Sequence, residues 1–210
     1  VEKHPSEKGT LPRKLYIYVI LGVAIGFMTY SVAEILQWGF RIEDNFRGFP
    51  WAALIIWGGV WIYHWRVEYN EGQPTTEARA IRSLYIYTYT CAAIILLATG
   101  LAQLFHIILT DGYETLVSIS IFDSIDGGLW QDPMRQGIIL ALVGGLGWYF
   151  HWLRFAARDY RSPLRRLYVG LFGTYGGFIA VLVSLVIIVN RSLLWGLADS
   201  SESAPMFFEF

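Results

Sequence analysis

Five apolar stretches divided by short polar segments set out the chain: Leu15 to Trp38, Phe49 to Trp65, Leu84 to Ile108, Gly137 to Phe155 and Leu167 to Val189. A helix needs about 20 apolar residues to cross a hydrocarbon layer of roughly 30 Å. Backbone groups in hydrocarbon must pair within their own segment, so these runs predict helices; a barrel would show shorter, alternating segments. The expected fold is all-α and polytopic, with five transmembrane helices built from hairpin repeats over 13–197. A polar N-terminal tail over 1–12 and a C-terminal tail over 198–210 flank it. Tails of that composition order only when something holds them, and a partner subunit is the simplest candidate. Between the third and fourth spans runs a longer connection, Thr110 to Gln136, with an alternating stretch at Leu116 to Phe122 and turn signals at Asp126-Gly127-Gly128 and Asp132-Pro133. It is expected to lie on the membrane surface or against a neighbour.

Charge gives the spans a direction. The N-terminal segment, the 66–83 connection and the 154–166 connection carry 4, 3 and 5 of the 16 Lys and Arg residues. With five crossings these three segments share one side, and the opposite side holds Arg41, Arg47, Arg135 and Arg191 together with most of the carboxylates. Short basic loops stay cytoplasmic. The expectation is therefore N-terminus in, C-terminus out, in a prokaryotic inner (cytoplasmic) membrane.

Composition closes off other classes. With 55% hydrophobic and 16% charged residues and a mean hydropathy of +0.43, the chain is too apolar for a water-soluble domain. No groove-reading element or dense basic tract points to nucleic acid. The lone Cys91 lies inside the third span and reads as a small buried residue. No signal-peptide pattern is visible at the start, and no nucleotide loop, metalloprotease helix or nucleophile elbow occurs.

Two stretches repeat. Trp61, Tyr63, His64 and Trp65 close the second span, and Trp148, Phe150, His151 and Trp152 close the fourth. Each is followed, 14 to 18 residues after its histidine, by a basic residue and a Leu-Tyr pair. Arg13-Lys14-Leu15-Tyr16, Arg82-Ser83-Leu84-Tyr85 and Arg165-Arg166-Leu167-Tyr168 thus open the odd-numbered spans, which marks duplicated units. Tyr16, Tyr85, Tyr168, Trp65 and Trp152 read as interfacial anchors. His64 and His151 occupy equivalent depths, where imidazoles could serve as axial ligands to haem b or hold a chlorophyll-type pigment. The plainer reading of both is membership of the aromatic belt, with no cofactor and no metal.

A second set lies near the far surface. Counted from each opening arginine, Glu34 and Gln103 fall 21 residues on, and Gln37 and His106 fall 24 on. Three-residue spacing puts each pair on one helix face, and ionisable residues inside a span are candidates for a proton or quinone site. The alternative is a structural hydrogen bond between helices. Glycines at Gly22 and Gly26, and pairs at Gly58-Gly59, Gly144-Gly145 and Gly176-Gly177, read as points of close helix packing, with room that a flat porphyrin would also use.

The basic-x-Leu-Tyr starts and the His-Trp helix ends followed by Arg resemble a prokaryotic family of multi-pass membrane proteins classified only as a domain of unknown function. The resemblance runs from about Arg13 to Val189. It implies a small helical membrane domain of hairpin repeats and brings no catalytic residues. Departures from it are Val169-Gly170, where spans one and three continue Ile-Tyr, and the long third connection. The expected function is a non-catalytic subunit that scaffolds a larger membrane complex, respiratory or photosynthetic, with the lipid bilayer and other membrane-protein subunits as partners. The alternatives are a haem or pigment carrier and a proton-coupled transporter or quinone-binding protein.

Overall fold

The computed structural model describes residues 10–71, 76–117, 132–158 and 163–197, and all the elements within them are helices. Helix α1 (Leu11–Gly39) begins after Thr10 with Pro12 in its first turn, where a missing N–H costs nothing. It turns back through Arg41, whose φ of 58° is left-handed. Arg41 N–H donates to the Trp38 carbonyl and Ile42 N–H to the Gln37 carbonyl, which closes the helix end with the reciprocal pair of bonds that a left-handed cap allows.

Helix α2 (Gly48–Asn70) returns antiparallel along α1. Phe27 stacks on Trp57 with centroids 4.6 Å apart midway along the pair, and Trp38 meets Trp51 near the far end. Helices α3 (Thr76–Val117) and α4 (Asp132–Arg154) make the second hairpin. After a short 3-10 turn (Ala156–Arg158), a third rod is built from α5 (Pro163–Tyr168), a π-helical stretch (Val169–Gly176) and α6 (Gly177–Leu197). Within the described residues the rod meets the hairpins through its first turns, where Tyr168 packs on Trp152 and Tyr87. Beyond Gly177 its described side chains are almost all exposed.

Among the described residues, four helical segments are long and apolar enough to cross a membrane: Leu11–Gly39, Ala78–Leu109, Asp132–Arg154 and Pro163–Asn190. At 23 residues α2 matches α4 in length. It falls outside this group by composition, because Trp51, Trp57, Trp61, Tyr63 and Trp65 carry polar N–H and O–H groups on large apolar rings. Large apolar side chains cover the outside of the molecule, as a hydrocarbon solvent requires.

Two sequence expectations change. Helix α3 runs to Val117, past the end of its apolar span at Leu109 and into the expected connection, since leaving the apolar run does not itself break a helix and the single Gly112 is tolerated. Leu116 and Val117 are therefore helical, whereas the rest of the alternating stretch and Asp126-Gly127-Gly128 lie outside the described residues. Asp132-Pro133, read as a turn, opens α4 instead, with the carboxylate in the first turn where the helix dipole favours it.

Close packing falls on Gly144, as expected, and on Gly100 and Gly137, but not on Gly22, Gly26, Gly58 or Gly59. A Cβ on Gly144 would lie 2.3 Å from the Leu97 nitrogen, and one on Gly100 would lie 2.4 Å from the Ala141 nitrogen. Gly100, Gly137 and Gly144 bring α3 and α4 into backbone contact, the arrangement small residues permit in membranes. Gly26, Gly58 and Gly59 would meet nothing within 4 Å, and Gly22 only the ring of Tyr85 at 3.9 Å. The Gly22–Gly26 spacing thus opens a groove instead of a helix crossing.

Candidate functional site

The core lies at the basic end, where the odd-numbered elements start, and the repeated aromatic residues build it. In each hairpin the tryptophan three residues before the histidine reaches forward to the tyrosine that opens the next rod. Trp61 Nε1 donates to the Tyr85 hydroxyl at 3.2 Å, and Trp148 Nε1 donates to the Tyr168 hydroxyl at 3.0 Å. The histidine packs back on the tyrosine that opened its own hairpin: His64 on Tyr16 with centroids 5.9 Å apart, His151 on Tyr85 at 6.1 Å. Tyr18 lies against Tyr85 at 5.8 Å, and Tyr87 lies against Tyr168 at 5.9 Å. Tyr85 is the shared joint, taking an indole from one hairpin and an imidazole from the other.

Both imidazoles adopt the same tautomer. A carbonyl can only accept, so Nδ1 of His64 donates to the Val60 carbonyl at 2.8 Å and Nδ1 of His151 to the Gly147 carbonyl at 3.1 Å. His151 is 2% exposed, set against Tyr89 at 4.2 Å, and its Nε2 lone pair has no hydrogen-bond partner among the described residues. His64 is half-buried. Among the described residues no ring contact joins the two histidines; each belongs to its own hairpin. Tyr85 and Tyr168, expected as interfacial anchors, are 7% and 6% exposed, and their hydroxyls are the acceptors of the two indoles. Tyr16, at the open start of the array, is exposed, and Trp65 and Trp152 are half-buried, stacked on Trp61 and Trp148.

Beside this array lies a charged cluster that the sequence reading did not single out. Glu71, just past α2, takes Arg13 Nε at 2.6 Å and Lys14 Nζ at 2.8 Å. Tyr18 donates to Glu68 Oε1 at 2.6 Å. Burial pushes the Glu71 carboxyl up, but the hydrogen bonds and charges of Lys14 and Arg13 outweigh it and hold the group below the usual carboxylate range. The available signal was the three-residue spacing of Glu68 and Glu71, one turn apart on the same helix end.

At the other end, Glu34 pairs with Arg47 at 3.6 Å, and Arg47 also holds Glu43 at 3.0 Å. Gln37 contributes its backbone carbonyl to the α1 cap. Gln103 is half-buried on α3, and His106 is exposed there. Arg135 of α4 ties the hairpins together by donating to the Phe40 and Arg41 carbonyls. The cation nearest Glu34 is therefore in the α1–α2 connection, a partner no helical spacing could indicate.

A groove of about 440 Å³ separates α1 from α3. Gly22 and Gly26 form part of its wall on one side, and Tyr85, Tyr89 and Ala92 on the other. Of its hydroxyls, Tyr18 donates to Glu68 and Tyr89 to Thr29 at 2.8 Å, Thr29 donates onward to the Ile25 carbonyl, and Tyr85 accepts from the Trp61 indole. No group of three or more metal-ligating side chains occurs among the described residues.

Residues 113–206 match the model of a family described as a domain of unknown function, DUF5671. The match takes in α4 and the third rod, and so Trp148, His151, Trp152 and Tyr168. It agrees with the resemblance to a family of unknown function, over the second half of the chain rather than from Arg13 onward. No curated protein and no solved structure matches the chain.

Proposed function

We propose that this protein is a non-catalytic integral membrane subunit that braces a larger membrane assembly. The observation that carries this reading is the third rod. Two hairpins pair their helices along their length, whereas Pro163–Asn190 extends its apolar surface past the bundle after meeting it at Tyr168 and Phe172. Among the described residues nothing covers that surface, which offers a face to a neighbouring membrane helix, and packing between apolar helices, rather than the hydrophobic effect, would hold it there. In the same reading α2 is a fifth crossing: its 23 residues span about 34 Å as a helix, and its aromatic end suits the headgroup layer. Five crossings put the basic ends of α1, α3 and α5 in the cytoplasm of a prokaryotic cell.

The test is a photo-crosslinking residue in place of Val186, which is 67% exposed, followed by mild extraction and mass spectrometry. A defined partner polypeptide captured at this site, and lost when the residue is placed instead at Tyr149 on α4, is the expected result. Purification as an uncrosslinked monomer from native membranes would overturn the reading.

A further inference from the structure

We propose that the α1–α3 groove is a built site for one acyl chain of an anionic phospholipid whose phosphate rests on Arg82. The inference depends on the membrane placement of α1 and α3 but not on the bracing role of the third rod.

The groove's dimensions select its occupant. Its wall runs from Leu15 to Thr29 on α1 and from Ile81 to Leu96 on α3. At 1.5 Å per residue that is about 21 Å, which matches one leaflet with its headgroup zone, half of a bilayer roughly 40–45 Å thick. A volume of about 440 Å³ spread over that length leaves a cross-section of a few tens of Å². A helix about 10 Å across does not enter it, whereas a single hydrocarbon chain does.

The lining chemistry points the same way. Tyr18 and Tyr89 spend their protons on Glu68 and Thr29, and Thr29 spends its own on the Ile25 carbonyl, so that only the hydroxyls of Tyr85 and Thr88 interrupt an otherwise apolar lining. His151 lies behind Tyr85 and Tyr89 and does not line the groove. What remains is a mostly apolar slot with glycines along one wall.

Charge then chooses the headgroup. Arg82 sits between the groove residues Ile81 and Leu84, close enough to Tyr18 to act on it electrostatically. Neither Arg79 nor Arg82 has an ion-pair partner among the described residues, whereas Arg13 and Lys14 are committed to Glu71. A phosphate at the mouth would complete Arg82 with a charge-assisted bond, at the end where anionic lipids attract basic residues.

Native mass spectrometry of the detergent-purified chain, stripped of lipid and then given phosphatidylglycerol or phosphatidylethanolamine, tests the site. Expected are one phosphatidylglycerol per chain, an about tenfold loss of its retention over phosphatidylethanolamine in Arg82→Gln, and loss of both lipids in Gly26→Leu. Gly26 has open space for a side chain, so that variant fills the groove without forcing the helices apart. Gly58→Leu, equally unobstructed on α2, serves as the control and keeps the lipid. Retention unchanged in Gly26→Leu, no lipid retained by the wild type, or a quinone or pigment held in its place would overturn the assignment. The crosslinking result at Val186 stands or falls separately.

Discussion

At the residue scale, the Lys14–Glu71 pair is the most exacting contact. Lys14 is 1% exposed, and a buried ammonium tolerates that position only with its counter-charge present. Glu71→Gln leaves it uncompensated and should destabilise the protein by about 3 kcal/mol. The pH dependence follows from the lowered carboxyl. Because Glu71 titrates lower in the folded chain than in the unfolded one, its contribution is complete above the unfolded value and is lost as pH falls through the folded value. Thermal unfolding in detergent at a series of pH values checks this: the gap between wild type and Glu71→Gln should be largest near neutrality and close in acid. The sequence displayed the histidines and tryptophans at equal spacing but not this pair, since Lys14 and Glu71 meet only once α2 has folded back along α1. The Trp61–Tyr85 bond was hidden for the same reason, although both of its residues had been singled out.

Among the elements, the α3–α4 contact is the tightest. Gly144→Ala would press a methyl group onto the backbone of Leu97, which cannot yield as a flexible side chain would, and the expected cost is about 3 kcal/mol, at the upper end for overpacking. Gly58→Ala, with nothing within 4 Å, should be neutral or gain up to about 1 kcal/mol from helix propensity. Denaturant titration of the two variants followed by circular dichroism distinguishes them. Hydrophobic runs and basic breaks located the helices, because both reflect the solvent. Which glycines touch a neighbour depends on rotation about the helix axis, and the apolar pattern of a lipid-facing helix hardly encodes it: the outward face of α1 is as apolar as its inward face. For that reason Gly22 and Gly26 read as a crossing, whereas they line a groove.

For the whole molecule, the number of crossings decides which groups share a compartment. Tyr69, 79% exposed near the end of α2, falls on the same side as Arg13 if α2 crosses the membrane. A Tyr69→Cys variant on a Cys91→Ser background should resist an impermeant maleimide applied to intact cells and react once the membrane is permeabilised. Labelling in intact cells would reverse the proposed orientation or remove α2 as a crossing. The all-helical build was legible from composition and segment length. The third rod's separation from the hairpins was not, because its sequence is as apolar as that of α1, which does have a partner.

The tyrosine joint is directional. Tyr85 receives an indole from the helix before it and turns a face to the imidazole of the helix after it, whereas among the described residues Tyr168 has the indole without an imidazole and Tyr16 the imidazole without an indole. Such a link can be copied at either terminus without rebuilding its interior. A His-Trp helix set beside Tyr168 would engage it as α4 engages Tyr85, so each duplicated hairpin carries its own point of attachment for the next.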